Sequence, residues 1–254
     1  MKNFNQQRYC QMLKWNILTN RKTMLTHTLA FVAAFLLLQL FYIGMMNMFR
    51  SPSDDSIMLA MGMCLSTAIM LGTYYASGLL GNAQSKEQRT TMMLVPATTA
   101  EKYAARLTYT LVVIPLYIVA ALIVATMFRM AIQLAVGHEN IRVGLDLVMD
   151  SRAHSVLNNM LGYVYLVSVF VLGGALFRKH PYIWTWVSLI VIFMCIGIVV
   201  GLVCSSGAKG RSLDISIPEW IDNTVFGVLT VLNFIGSYRL FSRLQVVQHK
   251  WFNI

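Results

Sequence analysis

The chain predicts an all-α integral membrane fold: six transmembrane helices preceded by an amphipathic interfacial helix, with both termini cytoplasmic. Three observations predict it. Of 254 residues, 57% are hydrophobic and only 12% charged, about half the charged share of an ordinary soluble domain, and the mean hydropathy is +0.62. The apolar residues gather in six runs, each near or above the roughly 20 residues a helix needs to cross about 30 Å of hydrocarbon. The basic residues alternate between successive loops, as cytoplasmic loops require.

The elements follow in chain order. Residues 5–22 form the expected interfacial helix. Tyr9, Cys10, Met12, Leu13 and Ile17 share one face of a helical wheel, while Arg8, Lys14 and Arg21 largely avoid it, the pattern of a basic helix lying on a membrane; a frayed polar N-terminus is the alternative. The spans are expected at 25–49, 57–81, 107–136, 157–177, 182–204 and 224–241. They are too long and too uniformly apolar for alternating strands of a membrane barrel. The polar lead is long and carries no clear small-residue cleavage site, so the first run reads as a retained span and not a signal peptide.

Residues 82–106 form the expected cytoplasmic loop after the second span. Ser85 with Gln88, and Thr98 with Glu101, fit the capping-box spacing. Pro96 separates the two candidate helices, because the residue before proline avoids helical geometry. Met92, Met93 and Leu94 make an apolar knuckle in this polar loop. It is the kind of patch a partner protein buries; dipping back against the membrane surface is the other reading. Residues 205–223 form a short outer helix or loop anchored by Trp220, interfacial or re-entrant.

Orientation rests on Lys and Arg. Lys2, Arg8, Lys14, Arg21 and Lys22, then Lys86, Arg89, Lys102 and Arg106, then Arg178 and Lys179, then Arg239, Arg243 and Lys250 all fall on one side, with only Glu87 and Glu101 as acids. The opposite side holds the other eight acids and six basic residues. The basic side is the cytoplasmic one, and an odd number of spans breaks the alternation. This distribution also accounts for the net charge of +10; no basic run is interleaved with aromatics as in single-strand nucleic-acid binders.

Catalytic signatures are missing. The chain has no GxxxxGK[ST], and Gly207-Ala-Lys-Gly-Arg-Ser212 has the wrong spacing. Ser77 has no histidine at its depth to serve as base, because His27, His138, His154, His180 and His249 lie at span ends, in loops or in the tail. None of the four cysteines forms a CxxC pair or stands at metal-ligand spacing from a histidine. Gln39, Asn47, Gln133 and Asn233 are the polar exceptions within spans, and Arg129 stands late in the third span, placed to snorkel outward. Ion-coupled transporters carry acids within their spans; none occurs here, so energy for any transport has to come from another chain. Gly197-x-x-x-Gly201 is a close-approach motif, packing within the chain or at a dimer seam, and Ser77-x-x-x-Gly81 is a weaker one.

Together these features resemble the ABC-2-type permease (transmembrane) subunits of ABC transporters. The loop Ser85-Lys-Glu-Gln-Arg-Thr-Thr-Met-Met-Leu-Val-Pro-Ala-Thr-Thr-Ala-Glu-Lys102 is similar to that of small Bacteroidetes members, whose pattern is approximately L-x-L-P-A-[ST]-x-x-E-K. Met92 and Leu94 take its apolar positions, Met replacing the first Leu, and Pro96, Ala97, Thr98, Glu101 and Lys102 match it. Asn20-Arg-Lys-Thr23 and Ser237-Tyr-Arg-Leu-Phe241 also look like that group.

The resemblance implies a permease subunit in the bacterial cytoplasmic membrane, paired with a second permease subunit and with two copies of a cytoplasmic ABC ATPase that bind ATP and Mg. The chain itself is then no enzyme and carries no cofactor. Arg89, Met92, Met93, Leu94, Pro96, Glu101 and Lys102 belong to the ATPase-coupling loop. Glu101 and Lys102 cap and orient its second helix, and Met92–Leu94 supplies the contact surface. Gly197 and Gly201 fit the dimer seam. Export of a lipid, peptide or other amphipathic compound is the family's usual work. A non-transporting multi-pass membrane scaffold or sensor subunit, and a membrane-embedded enzyme, are the competing classes.

Overall fold

The structure is a computed structural model that describes residues 4–49, 54–79, 96–135, 155–177, 179–207 and 219–243. These residues form six helices: α1 (Gln6–Phe49), α2 (Asp54–Ser77), α3 (Thr99–Ala135), α4 (Ser155–Leu176), α5 (Pro181–Gly207) and α6 (Glu219–Ser242). Five contain stretches long and apolar enough to cross a membrane: Gln6–Phe41, Leu59–Ser77, Thr99–Ala135, Pro181–Val199 and Asn223–Ser242. Met160–Leu176 within α4 is a shorter apolar stretch. By helix length and composition the chain is a multi-pass helical membrane protein.

Two boundaries differ from expectation. The segments expected as an interfacial helix and a first span form one unbroken helix of 44 residues, about 66 Å at 1.5 Å per residue. That is twice the hydrocarbon thickness, so its polar lead extends beyond the apolar slab. Nothing in Asn20-Arg-Lys-Thr23 breaks a helix: there is no Gly or Pro, and Lys and Arg are good helix formers. Likewise the helix capped by Thr98 runs straight into the third span. α3 passes through a π-helical turn at Tyr109–Val113, where the Ile114 N–H donates to the Tyr109 carbonyl. Pro115 explains the turn. It lacks an N–H for the Leu111 carbonyl and its ring crowds the preceding turn, and the wider π geometry relieves that crowding.

The chain divides into two compact units: Met1–Tyr75 with Ala97–Tyr163, and Ala76–Pro96 with Val164–Ile254. In the first, α1, α2 and α3 pack around Phe35, Met61, Cys64, Ile114, Ile118 and Leu122. Small residues set the spacing: Ala121 and Ala125 are fully buried. Lipid tails are as apolar as Leu, so close packing and hydrogen bonds hold such helices together. His27 Nδ1 and the Tyr75 hydroxyl pair across α1 and α2.

In the second unit, the end of α4 meets α5 at Gly173, where Thr185 packs against the glycine, and Phe170 lies against Tyr182 and Trp186. Asn233 on α6 donates to the Ser168 hydroxyl at 3.1 Å. His180, in the tight link before Pro181, has φ 49°, outside the helical region that a residue before proline avoids. Most of α5 from Ile190 to Leu202 exposes apolar side chains on every side, as a helix facing lipid or a partner must.

Candidate functional site

The matched loop motif ends in a built junction. Thr98 is the N-cap of α3: its hydroxyl accepts from the Glu101 N–H at 3.3 Å, and Glu101 Oε2 accepts from the Thr98 N–H at 2.8 Å. The Thr98–Glu101 spacing therefore forms the capping box it predicts. The other carboxylate oxygen does something the spacing did not disclose. Glu101 Oε1 accepts from the backbone N–H of Asn5 at 2.8 Å, and Asn5 is itself the N-cap of α1, its side chain accepting from the Gln7 N–H at 2.9 Å. One carboxylate thus closes the N-termini of two helices and sits at the positive end of both dipoles.

Glu101 is fully buried. The N–H of Asn5, then that of Thr98, holds its carboxyl below the usual range, with Arg8 adding to the effect. One turn further along α1 and about two turns further along α3, the Tyr9 hydroxyl and Thr108 Oγ1 hydrogen-bond at 2.7 Å, so the two helices are tied twice. Lys102 is buried as well, and that burial, with Arg106 beside it, lowers its pKa.

The other expected loop residues fare differently. Pro96 is exposed at the start of the junction. Arg89, Met92, Met93 and Leu94, and the Ser85–Gln88 capping box, lie outside the described residues. Among the described residues, nothing outside α5 comes within 4 Å of where a Cβ would stand on Gly197 or Gly201, so these residues make no use of the close approach the glycines permit. A groove of about 390 Å³ lies along the start of α5, lined by Phe177, Lys179, Trp184, Val187, Val191 and Ile192. Its wall is almost wholly apolar, and Lys179 is the only charged side chain among its described lining residues.

The sequence reading missed a polar layer inside the first unit. Arg129 does not snorkel to the lipid: it is 2% exposed. Gln39 on α1, also 2% exposed, directs Nε2 to Cys64 Sγ at 3.7 Å, and that thiol faces the Phe35 carbonyl at 3.9 Å. Among the described residues, the buried Gln39 carbonyl oxygen has no hydrogen-bond partner, nor has that of Gln133, one turn beyond Arg129. An Arg at the very centre of a membrane helix costs about 2.5–3.5 kcal/mol on insertion scales, and one nearer the end, as here, costs less. The available signal was sequence position: Gln39, Cys64 and Arg129 stand ten, ten and six residues from Phe49, Asp54 and Ala135, the ends of their helices.

No protein family matches the chain, and neither a curated protein nor a solved structure is detectably similar to it.

Proposed function

We propose that this chain is the permease subunit of an ATP-driven ABC transporter, an exporter of a lipid, peptide or other amphipathic compound, energised by a separate cytoplasmic ATPase. The observation that carries the reading is the Glu101 junction. It lies directly after the motif that resembles the coupling loop, and it fastens that loop to two helices at once through the Asn5 and Thr98 N–H groups. A displacement of the loop ahead of Pro96 would reach both α1 and α3, as a coupling element needs. Burial of Glu101 and Lys102 suits a hinge base; the ATPase contact then falls to Met92, Met93 and Leu94, with Arg89 beside them. In this reading two ATPase copies bind ATP and Mg, and two permease subunits meet along α5 at Gly197 and Gly201. The assembly sits in the bacterial cytoplasmic membrane with both termini inside.

The test is co-expression with the ATPase encoded beside this chain. The wild type is expected to co-purify with it, and a Met92→Ser, Met93→Ser, Leu94→Ser triple variant to lose it while remaining folded. Association kept in the variant moves the docking surface elsewhere. No association of a well-folded wild type with any ATPase sinks the transporter reading and favours a scaffold or sensor subunit.

A further inference from the structure

We propose that the groove along the start of α5 holds an anionic phospholipid of the bilayer, with an acyl chain in the groove and the head group at the basic end beside Lys179. The site lies within the second unit of this chain and does not depend on the transporter reading.

Packing in that unit shows which helix ends share a level. α5 runs antiparallel to α4: Phe170 lies against Trp186, Thr185 against Gly173, and the Phe177 ring stacks on that of Trp184 with centroids 6.3 Å apart. α6 runs parallel to α4, because Asn233 reaches Ser168 and, one turn on, Leu172 lies against Gly236. The end of α4, the start of α5 and the end of α6 therefore stand at one level. Lys179, Arg239 and Arg243 gather there, all three exposed. Residues 155–207 contain no Asp or Glu, and residues 219–243 only Glu219 and Asp222, in the first turn of α6 at its opposite end. Among these helices, one end is basic without a balancing acid.

The groove starts at that end. From Trp184 to Ile192 it follows α5 for about 12 Å at 1.5 Å per residue, close to the roughly 15 Å that one leaflet's share of the hydrocarbon spans. Val187, Val191 and Ile192 give it an apolar wall. The one hydroxyl among its described lining residues, that of Ser188, already donates to the Trp184 carbonyl at 2.8 Å. A chain of methylenes suits such a wall, and a polar guest finds little there. Trp184 stands between the apolar stretch and the basic end, as Trp does at a membrane interface, and Lys179 can extend its ammonium past it on a long apolar stem. Charge complementarity then selects the head group. Basic sites at the ends of membrane helices take anionic lipids, whereas a zwitterionic head group brings an ammonium that this end repels.

Trp184 is itself the probe. With Trp15, Trp186, Trp220 and Trp251 changed to Phe, it is the one remaining indole of the chain. The full chain is reconstituted in phosphatidylcholine vesicles containing a fixed fraction of either phosphatidylglycerol or phosphatidylcholine brominated on the acyl chain, since bromine in contact quenches indole fluorescence. The expected result is a preference of about fivefold for the brominated phosphatidylglycerol. That preference falls toward parity in Lys179→Gln and is kept in Lys179→Arg. Val191→Phe, which fills the groove and leaves every charge in place, also removes it.

Equal quenching by the two lipids makes the groove ordinary lipid-facing surface and overturns the proposal. Quenching by neither means that a protein surface, such as a second copy of this chain, covers the groove, and overturns it too. So does a preference that survives Val191→Phe, because attraction to charge at the membrane surface alone produces it. Should the single-Trp protein fail to fold, the same comparison is read from the difference between the wild type and Trp184→Phe.

Discussion

Gly174 and Gly197 look alike in sequence and differ in what surrounds them. A Cβ on Gly174 would run into the backbone carbonyl oxygen of Ser77, and a backbone atom in a packed helix contact cannot step aside. Gly174→Ala is therefore expected to destabilise the protein by about 1–3 kcal/mol, read as a lowered thermal unfolding midpoint in detergent or nanodiscs. Gly197 has open space around it. Gly197→Ala should leave the unfolding midpoint of the monomer within the range of a surface change, about ±0.5 kcal/mol. If α5 is the seam between two copies, Gly197→Leu with Gly201→Leu weakens the dimer alone. Cys195, an exposed free thiol two residues away, reports this by oxidative cross-linking between copies. Cross-linking undiminished in the double Leu variant removes these glycines from the seam.

The junction of α1 and α3 behaves as one element because a single carboxylate holds both starts. Its pH dependence follows from the direction of the Glu101 shift. The folded state holds the carboxyl below its ordinary value, so the stabilisation is fully present above the unfolded glutamate pKa. It is lost as pH falls through the lower folded value. Unfolding midpoints measured from neutral pH into the acid range should fall for the wild type, and fall less for Glu101→Gln, which has no charge to lose. Equal slopes in the two proteins would remove Glu101 as the acid-sensitive tie. Thr98→Ala, which removes the other half of the capping box, is expected to cost about 1 kcal/mol. α3 continues from this cap through the π turn to Ala135, so the junction and Arg129 lie on one continuous helix.

At the level of the whole chain, the proposed orientation rests on fourteen basic residues and two acids on one side against six basic residues and eight acids on the other. A C-terminal green fluorescent protein fusion is expected to fluoresce in the bacterial cytoplasm, and an alkaline phosphatase fusion at the same point to be inactive. A phosphatase fusion in the link around Ser51–Ser53, between α1 and α2, is expected to be active. The reverse pattern would turn the Glu101 junction outward, away from any ATPase, and end the coupling argument.

Each apolar run that the sequence predicts contains or overlaps a helix of the structure, because a span announces itself by length and hydropathy along one segment. The Thr98 cap was equally legible, since a capping box is a contact over three residues. Sequence alone did not reveal that α1 continues unbroken through residue 22, because an amphipathic lead and an apolar span are both compatible with one helix. It did not reveal the Asn5 contact of Glu101, which joins residues 96 positions apart. Nor did it place Arg129: whether a late-span Arg turns to lipid or to the bundle depends on how α3 is rotated against α1 and α2. Helices that are apolar on all sides carry little periodicity to set that rotation. What the sequence determined by itself was local and one-dimensional — which segments are helical, long and apolar, and how one of them begins. The tertiary structure decided which polar atoms meet, because that depends on the relative rotation and depth of separate helices, and packing fixes both.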